Sequence, residues 1–154
     1  MKITLVAVGR LGRAPEALLA RDYAERATAS GRSLSLSPVE IVEVEARKPG
    51  KAAEAEVLRP HLEGAHVICC DERGKALTSR AFADRIARLR DDGVRHLALV
   101  IGGADGLDPA LLSEANETLA FGVQTWPHAL VRTMLAEQVY RAVTILAGSP
   151  YHRD

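Results

Sequence analysis

Residues 96–102 (HLALVIG) are the stretch that most restricts how this chain can fold. From Leu97 to Ile101 every side chain is apolar, so neither face of a strand built from them could be left in water. Strands of this kind occur in parallel sheets that are covered by helices on both faces. The chain then turns at once through Gly102 and Gly103. We therefore expect a buried parallel strand that ends in a tight glycine turn.

The rest of the chain supplies the neighbours that such a strand requires. Apolar or alternating runs predict further strands at 2–8, 39–45, 66–70 and 118–122. Helical spacing, prolines and capping residues predict helices at 14–29, at 51–63, from 78 or 79 to 93, from 108, and from 127 to about 147. The apolar face of the first helix is expected to comprise Leu18, Leu19, Tyr23 and Ala27. Strands alternating with helices predict one α/β domain over residues 1–154, with a parallel sheet between two helical layers.

The charge balance excludes some functions. Lysine and arginine together number 20 in the 154 residues, and aspartate and glutamate also number 20. This argues against a protein that holds nucleic acid by bulk charge, although a local patch or a partner could supply contacts. No apolar run reaches the roughly 18–20 residues of a membrane helix, and the N-terminus has no signal-peptide pattern, so we expect a cytoplasmic protein. The adjacent cysteines and the spacing of the histidines predict neither a disulfide nor a metal site.

Three turns are expected at one edge of the sheet, because ligands of parallel α/β sheets collect beyond the carboxyl ends of the strands. These turns are residues 70–76, 102–107 and 121–127. In the second turn the glycines stand as G-G-x-x-G, which is neither a phosphate-binding P-loop nor the G-x-G-x-x-G of dinucleotide-binding domains. The pattern counts against a nucleotide-dependent oxidoreductase. It fits a tight turn without a ligand as well as it fits a ligand-binding turn.

The last third of the chain contains the other candidates for chemistry. Trp126 is the only tryptophan and could either stack on an adenine ring or plug the core. The last helix has a broad apolar stripe, which favours a protein interface such as a homodimer. Its Glu137 and Arg141 are four residues apart and would form an ion pair. The tail at 150–154 is either disordered, as most chain ends are, or offers an arginine to phosphate and a tyrosine to a base.

Five motifs together resemble a known family. They are DERGK at 71–75, IGGADGL at 101–107, WPHALVR at 126–132, LAEQVYRA at 135–142 and ILAGSPYHR at 145–153. Their order and spacing are similar to those of the ribosomal RNA large-subunit methyltransferase H family, a small group of the SPOUT class of S-adenosylmethionine-dependent RNA methyltransferases. The resemblance implies a SPOUT fold whose C-terminal part is tied into a trefoil knot, with the knot and cofactor region at about 97–154, although knots are otherwise nearly absent from proteins. It also implies a homodimer that methylates N3 of a pseudouridine in 23S rRNA of the assembled ribosome.

The same resemblance assigns site residues by position. Cofactor contacts, mostly through the backbone, are expected from Cys70, Gly102, Phe121, Gly122, Val123, Gln124, Thr125 and Trp126. Substrate-side and catalytic positions are His128, Arg132, Glu137, Tyr151, His152 and Arg153. A base must take the proton of the pyrimidine imide, and His128, Glu137 and His152 all remain candidates for it. Arg132 and Arg153 are expected to hold RNA phosphate or to stabilise the imidate, and Tyr151 to place the base.

A second hypothesis is that the protein has the same fold but does not catalyse methyl transfer. The loop FGVQTW at 121–126 differs from the serine-rich loop usual in that family. A ribosome-associated binding module that has lost its cofactor is therefore the alternative to an enzyme.

Overall fold

The computed structural model describes every residue from Met1 to Asp154. Five strands alternate with five α-helices, and single turns of 3-10 helix follow the first and second helices. The strands are β1 (Lys2–Val8), β2 (Val39–Val44), β3 (His66–Ala76), β4 (His96–Ile101) and β5 (Glu117–Ala120). The helices are α1 (Pro15–Gly31), α2 (Lys51–Leu58), α3 (Ser79–Asp91), α4 (Pro109–Glu114) and α5 (His128–Leu146). No helix combines the length and the apolar character needed to span a bilayer.

The strands form one sheet in the order β2-β1-β4-β3-β5, and every neighbouring pair is parallel. Strand β4 lies at its centre, and the side chains from Leu97 to Val100 are fully buried. Alternate residues of β4 enter two separate cores. Leu97 and Leu99 pack with α1, α3 and α5, whereas Val100 packs with α2 and α4 on the other face. The predicted α/β architecture with helices on both faces is confirmed.

The buried face of α1 differs from the prediction. Ala17, Ala20, Ala24 and Ala27 face the core, whereas Leu18 and Leu19 are 54% and 46% exposed. Helix axes approach more closely when small side chains lie at the contact, and this alanine face packs against the bulky side chains of α5. The leucines are thereby left on the outside of the molecule.

Most of the apolar stripe of α5 is buried in the core of the same chain. Leu135, Val139, Ala142 and Val143 are completely buried in the core beneath α1 and α3. The breadth of the stripe therefore reflects the central position of α5 among three helices, and it is not in itself a sign of a partner.

Strand β3 is longer than predicted, and it replaces the expected turn at 70–76. Leu119 of β5 pairs with Cys70 and also with Lys75. The register of the β3–β5 pairing therefore shifts between Cys70 and Lys75. Residues 71–74 consequently cross over β5, and a Cβ on Gly74 would lie 2.7 Å from the Leu119 backbone. Only glycine fits at this crossing.

Candidate functional site

The carboxyl ends of β3, β4 and β5 bring the predicted cofactor residues together at one edge of the sheet. Cys70 and Phe121 are half-buried there and pack against the larger core. Burial, reinforced by Cys69 and Asp71, raises the pKa of the Cys70 thiol well above its ordinary value. Cys70 is therefore a neutral thiol that offers an apolar surface rather than a nucleophile.

The glycine turn after β4 folds tightly on itself. Gly103 and Gly106 form an isolated bridge, and the Gly106 amide donates to the Gly103 carbonyl at 3.1 Å. A Cβ on Gly102 would lie 2.9 Å from the carbonyl carbon of Gly106, whose own φ is +83°. On its outer side the turn meets α2, where the Glu54 carboxylate accepts from the Gly103 amide at 3.4 Å. Glycine is thus required by the turn itself.

The loop at 121–126 is closed by its own tryptophan. The indole N–H of Trp126 donates to the Phe121 carbonyl at 3.1 Å, and the Thr125 hydroxyl reaches the Glu72 carboxylate of β3 at 3.4 Å. Trp126 is 41% exposed, so it is not a buried plug. The backbone amides from Gly122 to Trp126 donate no hydrogen bond within the chain, and all five residues are exposed. The loop therefore presents a row of free N–H donors.

Arg132 lies apart from the other predicted catalytic residues. Its side chain is 2% exposed and donates to the Glu43 carboxylate at 2.6 Å and to the carbonyls of Val8 and Gly9 at 3.3 and 2.9 Å. Glu43 also accepts from the Leu11 amide at 2.8 Å. Burial alone would raise the pKa of Glu43, but the Leu11 amide and Arg132 outweigh it and hold that pKa below its ordinary value. Arg132 therefore joins α5 to the ends of β1 and β2, and its guanidinium does not face solvent.

Glu137 is the centre of a second cluster, built from α5 and the C-terminal tail. Its carboxylate accepts from the Tyr151 hydroxyl at 3.0 Å, from Arg141 Nε at 2.9 Å and from the Gln138 amide at 2.8 Å. The predicted Glu137–Arg141 ion pair is thus confirmed. The Arg141 guanidinium also lies over the Tyr151 ring, 4.8 Å from its centroid. Burial, with hydrogen bonds to Tyr23 and Glu137, raises the pKa of Tyr151, so this phenol is a neutral donor.

The tail is ordered and returns along α5 towards α3. His152 Nδ1 lies 3.1 Å from Arg141 Nη1, and its Nε2 lies 3.2 Å from the Asp154 carboxylate. Because a guanidinium only donates, Nδ1 accepts and the proton is on Nε2. Asp154 in turn accepts two bonds from Arg80 at 2.7 and 2.6 Å. Both nitrogens of His152 are therefore already engaged.

Two predicted residues remain unengaged. His128 opens α5 directly after the loop at 121–126 and is half-buried, with no side-chain hydrogen bond in the chain. Arg153 is exposed and forms no salt bridge. Glu43 and Glu54 belong to the site surroundings but were not predicted. The only sequence signal for Glu43 was a carboxylate near the carboxyl end of a strand that alternates apolar and acidic residues.

Comparison with known proteins defines first a class and then a family. The family model described as "Predicted SPOUT methyltransferase" matches residues 1–152, which makes this protein a SPOUT methyltransferase. Two solved structures share the fold, each with a TM-score of 0.54. One is a probable methylase family protein from Haemophilus influenzae Rd KW20, 11% identical and covering 99% of this chain and 70% of that one. The other is a probable methyltransferase from Bordetella pertussis Tohama I, 15% identical and covering 92% of this chain and 95% of that one.

Much more similar relatives are each named ribosomal RNA large subunit methyltransferase H. The protein of Caulobacter sp. (strain K31) is 79% identical over 154 residues, covering both chains completely. That of Caulobacter vibrioides is 75% identical, covering 100% of this chain and 99% of its own, and that of Ruegeria pomeroyi is 56% identical, covering 99% of each. The chain belongs to the ribosomal RNA large subunit methyltransferase H family. The family predicted from the five motifs is confirmed, as is an enzyme that uses S-adenosylmethionine, the cofactor of SPOUT methyltransferases.

Proposed function

We propose that this protein transfers the methyl group of S-adenosylmethionine to N3 of a pseudouridine in 23S rRNA, acting in the cytoplasm on the assembled ribosome. The observation that carries the proposal is the full-length identity of 79% to a ribosomal RNA large subunit methyltransferase H. The balanced charge of the chain supports the assembled ribosome as substrate. A small neutral protein binds naked RNA weakly, whereas a ribosome offers a shaped docking site.

The residues at the carboxyl ends of β3, β4 and β5 fit the cofactor. Free amides at 122–126 would bind its polar atoms through the backbone, and Gly102 would keep the neighbouring turn tightly folded beside them. The half-buried Cys70 and Phe121 would form an apolar floor for the adenine ring. When bound, S-adenosylmethionine supplies an electrophilic methyl group on a sulfonium. The chain then has to position an in-line nucleophile.

We further propose that the chain is knotted, with the knot and cofactor region at about 97–154. The crossing of residues 71–74 over β5 supports this, because it brings Gly74 directly against the Leu119 backbone. After β5 the chain forms the loop at 121–127 and continues into α5 beneath α1 and α3. A knot of this kind would bring Cys70, the turn at 102–107 and the loop at 121–126 into contact and fix their relative positions.

Among the three candidate bases, we propose His128. The carboxylate of Glu137 already accepts from three side chains, so most of its lone pairs are occupied. Both nitrogens of His152 are engaged. His128 has free nitrogens and adjoins the cofactor loop. In His128→Asn, kcat should fall about 100-fold or more and the acidic limb of the pH–rate profile should disappear. An unchanged profile would exclude His128.

The tail and the buried arginine have different roles in this proposal. Glu137 fixes the Tyr151 hydroxyl so that the phenol ring can place the target base. Arg153, exposed and unpaired, would hold RNA phosphate or stabilise the imidate. His152 ties the tail to α5 through Arg141. We assign Arg132 to organising the ends of β1 and β2 rather than to contacting RNA, because its guanidinium is buried.

We also propose a homodimer. Leu18, Leu19 and Leu130 are exposed at 54%, 46% and 39%. The helices that carry them meet at this end, where the Thr133 hydroxyl of α5 donates to the Glu16 carbonyl of α1 at 3.0 Å. A second copy would cover these leucines. Light scattering should give a dimer for the native chain and a monomer for Leu18→Glu/Leu19→Glu, and a native monomer would exclude this arrangement.

The family assignment does not favour the alternative of a binding module without cofactor, for which the unusual loop at 121–126 was the one supporting feature. Trp126 is the only tryptophan and lies in that loop, so its fluorescence reports on the proposed cofactor site. S-adenosylmethionine should shift the emission saturably, while NAD, the cofactor expected of an oxidoreductase, should not. No shift with S-adenosylmethionine, confirmed by calorimetry, would favour the binding module.

A further inference from the structure

Two loops beside the cofactor residues carry charges that the site described above does not use. Residues 9–14 follow β1 and residues 45–51 follow β2, so both lie at the carboxyl edge of the sheet. We call these two loops the cationic edge. They contain one carboxylate, Glu45, and five basic residues, all exposed: Arg10, Arg13, Arg47, Lys48 and Lys51.

Most of these cations have no partner within the chain. Arg10 pairs with Glu45 at 3.3 Å, but the side chains are 71% and 56% exposed, and such exposed pairs are weak. Arg13, Arg47, Lys48 and Lys51 form no salt bridge. In a chain with zero net charge, the cationic edge is a local excess of positive charge. Its field would attract a polyanion to one side of the molecule.

The cationic edge is also shaped and continuous with the cofactor site. A cleft of about 430 Å³ lies between the two loops, and its lining includes the cations Arg47 and Lys48 and the carboxylates Glu45 and Glu54. Glu54 contacts the Gly103 amide of the glycine turn, so the cleft and that turn share a wall. From β2 to β5 there are four strand spacings, a distance of roughly 19 Å at about 4.8 Å each. A single RNA strand could cross this distance.

The loop at 9–14 is held in place before any ligand arrives. Arg132 fixes the Gly9 carbonyl and Glu43 fixes the Leu11 amide, which limits the entropy lost when the loop binds. The helices that follow, α1 and α2, begin without a side-chain cap, unlike α3 and α4. Their free N–H groups add positive partial charge to the same two loops.

We propose that the cationic edge binds the sugar–phosphate backbone of the rRNA that flanks the target nucleotide. Phosphate contacts of this kind fix register and orientation without reading sequence, so the cationic edge would position the substrate while the loops at 102–107 and 121–126 hold the cofactor. This proposal rests on the proposed function for its substrate. Arg132 is then a positioning residue, since it supports one of the two loops from beneath.

The test compares two triple variants with the same charge change. Arg13→Gln/Arg47→Gln/Lys48→Gln removes three unpaired cations of the cationic edge. Arg32→Gln/Arg88→Gln/Arg95→Gln is the control, because these arginines are exposed and unpaired but lie on α3 or near the opposite edge of the sheet. Methyl transfer to intact ribosomes is measured over a range of salt concentrations, and binding to a short single-stranded RNA is measured at low salt.

In the cationic-edge variant, KM for ribosomes should rise about tenfold or more. The slope of the logarithm of RNA affinity against the logarithm of salt concentration should become shallower by about 2, because each lost phosphate contact on a single strand removes about 0.7. Its kcat, its Trp126 fluorescence response to S-adenosylmethionine and the KM of the control variant should stay near native values. An unchanged KM, or an equal loss in the control, would overturn the proposal. A raised KM with unchanged RNA binding would also overturn it, in favour of an acidic ribosomal protein as partner. If the native protein methylates nothing, the proposed function fails. Comparing RNA binding by the native, cationic-edge and control proteins would still show whether the cationic edge binds RNA.

Discussion

Replacing Arg132 by methionine separates a structural role from a role in binding RNA. Arg132 is 1% exposed and its guanidinium donates to Glu43 and to two backbone carbonyls, so the variant removes one donor from each of these three acceptors. Breaking a buried ion pair from one side costs about 3–5 kcal/mol. Glu43 keeps the Leu11 amide and is 23% exposed, which places the expected loss near the lower limit, about 3 kcal/mol. At 154 residues this lowers Tm by roughly 6–12 °C.

The assay is thermal unfolding followed by circular dichroism at fixed protein concentration, with cofactor binding measured in parallel. Arg59→Met is the matched control, because Arg59 makes an exposed ion pair with Glu114 at 3.0 Å and should cost less than about 1 kcal/mol. The buried Nε of Arg132 has no partner, so the ion pair is not fully optimal. Arg132→Met/Glu43→Gln should therefore recover part of the loss. A native Tm in Arg132→Met together with lost methyl transfer would refute the structural role.

Three further predictions concern the tail, the glycine turn and acid stability. Arg153→Ala should abolish methyl transfer while cofactor affinity stays within about twofold, and loss of both would indicate a structural role. In Gly102→Ala the new Cβ, 2.9 Å from Gly106, should distort the turn and weaken S-adenosylmethionine binding about tenfold, or roughly 1.4 kcal/mol, and native affinity by calorimetry would contradict a role of this turn in binding. The pKa of Glu43 is lowered on folding, so its stabilisation is present above its ordinary value of 4.5 and is lost as pH falls further. Tm of the native protein should therefore fall more steeply below that pH than Tm of Glu43→Gln, and parallel curves would contradict the assignment.

The strands and the order of elements followed from patterns that act locally. An apolar run such as Leu97 to Ile101 can only be satisfied by helices on both faces of a sheet, and Pro109 and Pro127 mark the starts of α4 and α5. The cap at Thr78 was likewise predictable, because threonine is a preferred N-cap residue. In the structure its hydroxyl accepts from the Ala81 amide. These features depend on neighbours within a few residues.

Other features depended on partners distant in sequence. Alanines rather than leucines face inward on α1 because of the close packing against α5, more than 100 residues away. DERGKA reads as a polar turn, yet it extends β3 because residues 71–74 cross β5 at Gly74. In the sequence, Arg132 looks like an exposed basic residue. Only the fold shows that it is buried and donates to Glu43 and to the Gly9 carbonyl. Helical spacing cannot reveal which carboxylate a buried arginine will meet.

Transfer of labelled methyl from S-adenosylmethionine to ribosomes lacking the endogenous modification tests the central claim most directly. Intact ribosomes, separate large subunits and free rRNA would be compared, and the labelled nucleoside identified by mass spectrometry after digestion. Our account predicts label in intact ribosomes only, in a single pseudouridine methylated at N3. Comparable label on free rRNA would contradict action on the assembled ribosome. No label in any sample, with the protein folded, would contradict the proposed enzyme and favour the binding module.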